Sequence, residues 1–131
     1  MRRVVVTGMG MVTPLGSDVE VAWRRTLDGK SGAAPITRVD VSDLPCRIAC
    51  QVPLEDRWGD GLGGIFNADD WVEPKEQRRI DTFIIYSMAA AHQALNDAGW
   101  EPKTEEEKCR TGVYVGSGIG GLPGIEATAI T

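Results

Sequence analysis

Residues 111–126 read TGVYVGSGIGGLPGIE, and within them Gly116, Gly118 and Gly121 fall at the G-x-G-x-x-G spacing. That spacing lets a backbone turn cradle a pyrophosphate at the start of a helix. A second glycine turn, Gly8 and Gly10, directly follows the apolar run VVVT near the N-terminus. Nucleotide chemistry is therefore the first function these residues raise. A dinucleotide site also needs a βαβ unit whose second strand ends, about twenty residues on, in a carboxylate for the ribose. The first turn lacks one, because the segment after its helix is GKSGAAPI. At the second turn Pro123 stands where the helix should begin, and neither turn carries the G-K-S/T of a phosphate loop. The competing reading is conformational: glycine adopts positive φ without strain and lets another backbone approach closely.

Nucleophilic chemistry is the next possibility. Cys46, Cys50 and Cys109 are odd in number and lack zinc-site spacing, so neither a disulfide framework nor a metal site is expected. Cys46 and Cys50 sit in an irregular region and Cys109 precedes an expected strand. None occupies a strand-to-helix elbow, where a helix N-terminus lowers a thiol pKa. His92, the single histidine, lies one position past the apolar stripe of a strong helical pattern and reads as an exposed or boundary residue. No catalytic residue and no cofactor is expected in this chain. One charged cluster remains: Lys75, Arg78 and Arg79 are spaced i, i+3 and i+4, neighbours on one helical face. They form either a solvated face paired to Glu76 or Asp81 or a local positive patch.

The elements that must position these residues follow from periodicity. Residues 3–7 form a continuous Val-rich run, as expected of a strand covered on both faces. After the turn PLG, Ser17 and Glu20 have the S-x-x-E spacing of a capping box,. Val19, Trp23 and Leu27 then share a helical face that ends at Gly29,. Residues 30–72 are a long irregular excursion with brief β-like pieces such as RIACQV. Such excursions are functional or pack against another part of a larger protein, and Ile65, Phe66 and Trp71 are its packing candidates. Pro74 opens a long helix, in which Ile80, Ile84, Ser87, Met88, Ala91, Leu95 and Ala98 recur at helical spacing up to Gly99. Its small residues, SMAAAHQALNDAG, allow close approach to a neighbour. EPKTEEEKCR reads as a hydrophilic loop and TGVYVGS as a second strand. Alternation of strand and helix gives an α/β chain with parallel pairing. Two confident strands are fewer than a stable α/β sheet contains, so an incomplete domain is expected.

Composition narrows the class. With 131 residues, 42% hydrophobic and 25% charged, the chain matches an ordinary soluble domain. A net charge of −5 argues against a general nucleic-acid binder. No run reaches the roughly 18 apolar residues of a membrane span, the first residues do not make a secretory signal, and the cysteine usage fits a reducing cytosol.

Four segments together, RRVVVTGMGMVTPLG, LDGKSGAAPITRVD, EPKEQRRIDTFIIYSMAAAHQALNDAG and TGVYVGSGIGGLPGIE, resemble in order and spacing the N-terminal part of the β-ketoacyl-[acyl-carrier-protein] synthases of the type II, elongating kind. The resemblance implies a thiolase-like α/β fold, with residues 1–131 an incomplete first half and residues 30–72 an excursion within it. It implies decarboxylative Claisen condensation of acyl and malonyl groups held on acyl carrier protein in fatty-acid elongation, a homodimer and a cytoplasmic location. The family's nucleophilic cysteine and two histidines lie beyond residue 131, so this segment alone is expected to be inactive. Residue by residue, Lys75, Arg78 and Arg79 match the family's carrier-docking positions, and Gly118 and Ile119 match positions at the inner end of its acyl pocket. A polyketide-type synthase, a nicotinamide- or flavin-binding oxidoreductase and a non-catalytic carrier-docking module are the alternatives.

Overall fold

A computed structural model describes residues 2–130; Met1 and Thr131, the ends of the expected 1–131 domain, lie outside the described residues. The chain divides into two compact units, one of Met1–Gly10 with Ala68–Thr131 and the other of Met11–Asn67.

In the second unit, the turn between Thr13 and Gly16 is closed by reciprocal backbone hydrogen bonds of 2.9 and 3.0 Å and leads into helix α1, Val19–Leu27. Its cap is Asp18, not Ser17. The Asp18 carboxylate accepts from the N–H groups of Glu20 and Val21 at 2.9 and 3.1 Å, whereas the Ser17 hydroxyl donates to the Ile65 carbonyl at 3.1 Å. A carboxylate one residue closer to the helix competes successfully for the same free N–H groups. Gly29, at φ 68, completes a Schellman end: its N–H reaches the Thr26 carbonyl and that of Lys30 reaches Arg25,. The buried face of α1 is Ala22 and Arg25, while Trp23 and Leu27 of the expected face stand exposed. The cause is the loop of residues 57–64, which meets the Arg25 side and, with the Leu15 carbonyl, satisfies its guanidinium.

Strands β1, Ala33–Pro35, and β2, Ile48–Cys50, pair antiparallel with Ala34 opposite Ala49. The latter falls within the expected RIACQV piece. Phe66 is buried, as its packing role requires, and Ile65 is exposed.

In the first unit a 3₁₀ turn, Ala68–Asp70, precedes α2, Pro74–Gln77, which has proline in its first turn. The expected single long helix is broken here. Asp81 is extended (φ −76, ψ 154) and α3 begins afresh at Thr82–Ala98. Its buried residues are Ile85 and Ala89, so the inward face is rotated by one position from Ile84, Met88, Ala91 and Leu95. Ala90, Ala94 and Ala98 form a row of small residues i, i+4 and i+8. Against this row lie Gly8, beside Ala94 and Ala98, and Gly10, beside Ala90 and Ala94. The Met9 N–H donates to Asp97 at 2.9 Å.

The expected hydrophilic loop contains a helix, α4, Glu105–Arg110. A full capping box starts it: the Glu107 N–H donates to the Thr104 hydroxyl, and the Glu107 carboxylate accepts from the Thr104 and Lys103 N–H groups. Those backbone donors hold the Glu107 carboxyl below its usual range. The T-x-x-E spacing was the overlooked signal. A last helix, α5, spans Leu122–Ile130; Pro123 lies in its first turn, where no N–H partner is forfeited, and so does not interrupt it.

Among the described residues, 3–7 and 111–117 form no strand. A Val-rich run becomes a strand only when a neighbour takes up its backbone groups, and the described residues supply no ladder to either. Val4, Val6, Val113 and Tyr114 are each more than four-fifths exposed.

Candidate functional site

The glycine turn of residues 116–121 runs directly into α5. Gly116 and Gly118 have open space on every side where a side chain would project, within 4 Å. Neither has a positive φ; Gly121 does, at 70°. Ile119 stands among them with 79% of its surface exposed. The downstream half of the turn is crowded. A methyl group at Gly120 would meet the ring edge of Phe83, and one at Gly121 would fall 2.5 Å from the Asp81 carboxylate. Beside them opens a groove of about 700 Å³ lined by Asp81, Phe83, Gly120, Gly121 and, from α5, Gly124, Ile125, Thr128 and Ala129. Gly118 and Ile119 adjoin this groove in sequence but do not line it.

This geometry bears on the two readings of G-x-G-x-x-G: positive φ and close approach account for Gly121, and neither is found at Gly116 or Gly118. In a phosphate loop the glycine turn offers N–H groups to an anion. Here the Asp81 carboxylate lies against Gly121, and a negative group in that place repels a pyrophosphate. The first turn is equally accounted for, because Gly8 and Gly10 are glycines so that the chain can lie on the alanine row of α3,.

The three basic residues fall at the end of α2. Lys75 lies within it, Arg78 is its helical C-terminal cap (φ −69, ψ −12), and the Arg79 N–H still reaches the Glu76 carbonyl at 2.9 Å. All three are exposed. The Arg79 guanidinium stands 3.7 Å from Glu76, a surface contact of little energetic weight. His92 is exposed, edge-on to Trp71 at 5.7 Å, with Nδ1 3.1 Å from the Asn96 amide nitrogen. Cys46, Cys50 and Cys109 are exposed thiols. The residues that sequence reasoning missed at this site are Asp81 and Phe83, whose approach to the glycines spans almost forty positions of chain and leaves no local signature.

Comparison with known proteins gives this geometry its context. A family model described as "Beta-ketoacyl synthase, N-terminal domain" matches residues 1–129. The chain is 58% identical over 125 residues to a 3-oxoacyl-[acyl-carrier-protein] synthase 2 of Rhizobium meliloti (strain 1021), covering 95% of this chain and 29% of the relative. It is 44% identical to the synthase 2 of Vibrio harveyi, over 96% of this chain and 28% of the relative. A mitochondrial 3-oxoacyl-[acyl-carrier-protein] synthase of Arabidopsis thaliana is 41% identical, over 92% of this chain and 28% of the relative. Among solved structures, "The ishigamide ketosynthase/chain length factor" superposes with a TM-score of 0.62 at 33% identity, over 81% of this chain and 23% of that one. The chain thus spans less than a third of the length of these relatives.

Proposed function

Since this chain belongs to the β-ketoacyl synthase family, matching its N-terminal domain and sharing its thiolase-like α/β fold, we propose that it works as part of an elongating 3-oxoacyl-[acyl-carrier-protein] synthase. The single observation that carries the reading is 58% identity across 95% of the chain to a synthase of that name. In the proposed reaction an acyl group passes from the carrier's thiol to an enzyme thiolate. Loss of carbon dioxide from a carrier-bound malonyl group then leaves a carbanion that attacks the acyl thioester, forming the new carbon–carbon bond and releasing the thiolate. The exposed thiols at 46, 50 and 109 are assigned no part in this, and the residues here serve substrate and partner.

Gly118 and Ile119 form, in this reading, part of the wall of the acyl pocket. A branched apolar side chain held among glycines can bound a lipid chain while the backbone approaches it closely. Lys75, Arg78 and Arg79 receive the acyl carrier protein. Residues 1–131 are read as an incomplete first half of the fold, and the bare Val4–Val6 and Val113–Val115 segments support this, since such runs are characteristic of covered sheet strands. No helix of the described residues is long and apolar enough to cross a membrane. On the family reading alone, we place the protein in the cytoplasm as a homodimer.

The test is condensation by the intact protein of acyl- and malonyl-loaded carrier, followed as 3-oxoacyl product. Ile119→Phe is expected to reject longer primers, lowering kcat/KM for them about tenfold or more, while sparing short ones. Absence of any condensation would defeat the activity, and an unaltered length profile in Ile119→Phe would defeat the pocket assignment.

A further inference from the structure

We propose that Phe83 and Asp81, at the start of α3, are positioning residues for the glycine turn and through it set which primer lengths the Ile119 wall admits. This deepens the acyl-pocket reading of Gly118 and Ile119 and rests on it. A methyl group on Gly120 would lie 2.6 Å from Cε2 and 2.7 Å from Cε1 of Phe83, so the ring edge is seated on the Gly120 backbone. Gly120 has no left-handed φ; its lack of a side chain answers to the ring alone. At Gly121 both constraints act together, since φ is 70° and the Asp81 Oδ2 atom is 2.5 Å from where a methyl would stand. By Gly124 the same carboxylate is at ordinary contact distance, 3.4 and 3.5 Å.

The turn is therefore gripped at 120–121 and open at 116 and 118, with Ile119 at the boundary. The gripping residues flank Thr82, the first residue of α3, whose Ile85 and Ala89 are buried. The position of Ile119 is thus referred to a packed helix rather than to the loop itself. The ring is 39% exposed, and its edge against Gly120 is the contact that couples it to the turn.

The experiment uses the intact protein and two readouts: amide hydrogen exchange over residues 117–124, and kcat/KM for a long against a short acyl primer. Gly120→Ala is expected to speed exchange about tenfold and to change the long-to-short ratio about tenfold. Phe83→Ala alone removes the same ring contact and is likewise expected to speed exchange, and combining it with Gly120→Ala is expected to add little, because both changes break one contact. If the two effects on exchange add in full, or Gly120→Ala changes neither readout, the proposal is overturned. Should Gly120→Ala fail to fold, Phe83→Leu, which shortens the ring contact without overlap, must speed exchange over 117–124; unchanged exchange overturns the proposal. If Ile119→Phe moves the length profile and these variants do not, the positioning proposal alone is lost. If exchange responds but no variant, Ile119→Phe included, moves the profile, the pocket reading fails and takes the selectivity half of the proposal with it.

Discussion

Arg25 is the residue on which the smaller fold unit turns. Its side chain is fully buried, yet each part of the guanidinium is engaged. Nε and Nη2 donate to the two oxygens of Asp60 at 3.0 and 2.9 Å, Nη1 donates to the Leu15 carbonyl at 2.7 Å, and Nη2 also donates to that of Gly63 at 3.0 Å. The Trp58 ring covers it at 3.9 Å. A buried charge is tolerable only when paired and hydrogen-bonded in this way. The Arg25 hydrogen bonds hold the Asp60 carboxyl down to about 2, from 3.8 in the free side chain. Because the folded value is the lower one, the pair's contribution to stability is fully present above pH 4 and is lost as pH falls toward 2. Asp60→Asn is therefore expected to flatten the dependence of stability on pH between 4 and 2 in acid denaturation curves. A slope equal to that of the parent protein would contradict the assignment.

At the scale of elements, the decisive contacts are between backbone and backbone. Gly10 lies so close to α3 that a methyl there would meet the Ala90 carbonyl and stand 2.8 Å from the Ala94 nitrogen. Helix backbone does not yield as a side-chain tip can. Gly10→Ala is expected to destabilise the protein by about 1–3 kcal/mol, the usual range for overpacking. Gly118→Ala, with nothing within 4 Å and no left-handed φ, is expected to stay within about 0.5 kcal/mol of the parent. Chemical denaturation compares the two directly, and equal losses would refute the packing account of Gly10. The break at residues 78–81 is also an element-scale feature. It turns one expected helix into α2 and α3 and leaves Asp81 and Phe83 free to meet the glycine turn.

For the molecule as a whole, the relevant quantity is charge. The sequence holds 19 acidic and 14 basic residues, for a net charge of −5. The docking proposed at Lys75, Arg78 and Arg79 supposes a carrier of opposite charge, for which these three residues are a local reversal of this chain's net negative field. Complementary patches of this kind steer encounter and orientation more than they add affinity. Lys75→Glu combined with Arg78→Glu in the intact protein is expected to weaken carrier binding about tenfold at low salt, and the deficit should shrink as salt screens both proteins. Carrier affinity unchanged at low ionic strength would remove the docking role.

The local features were legible in the residues themselves. Gly29 and Gly99 mark the ends of α1 and α3, Pro74 marks the start of α2, and the small residues of α3 announce a close neighbour, because these signals depend on backbone groups a few positions apart; the break between α2 and α3 carries no such mark, and the T-x-x-E that opens α4 was passed over. The family resemblance was equally legible, since four ordered motifs survive without any knowledge of contacts. Which face of each helix turns inward was not. Arg25 displaces Trp23 and Leu27 from the interior of α1 because a loop more than thirty residues away completes its hydrogen bonds, and the buried line of α3 shifts to Ile85 and Ala89. The glycine turn is the clearest case. Its spacing fits a phosphate cradle as well as a turn that needs only conformational freedom, and only the fold brings the Asp81 carboxylate to Gly121, where like charge disfavours a phosphate.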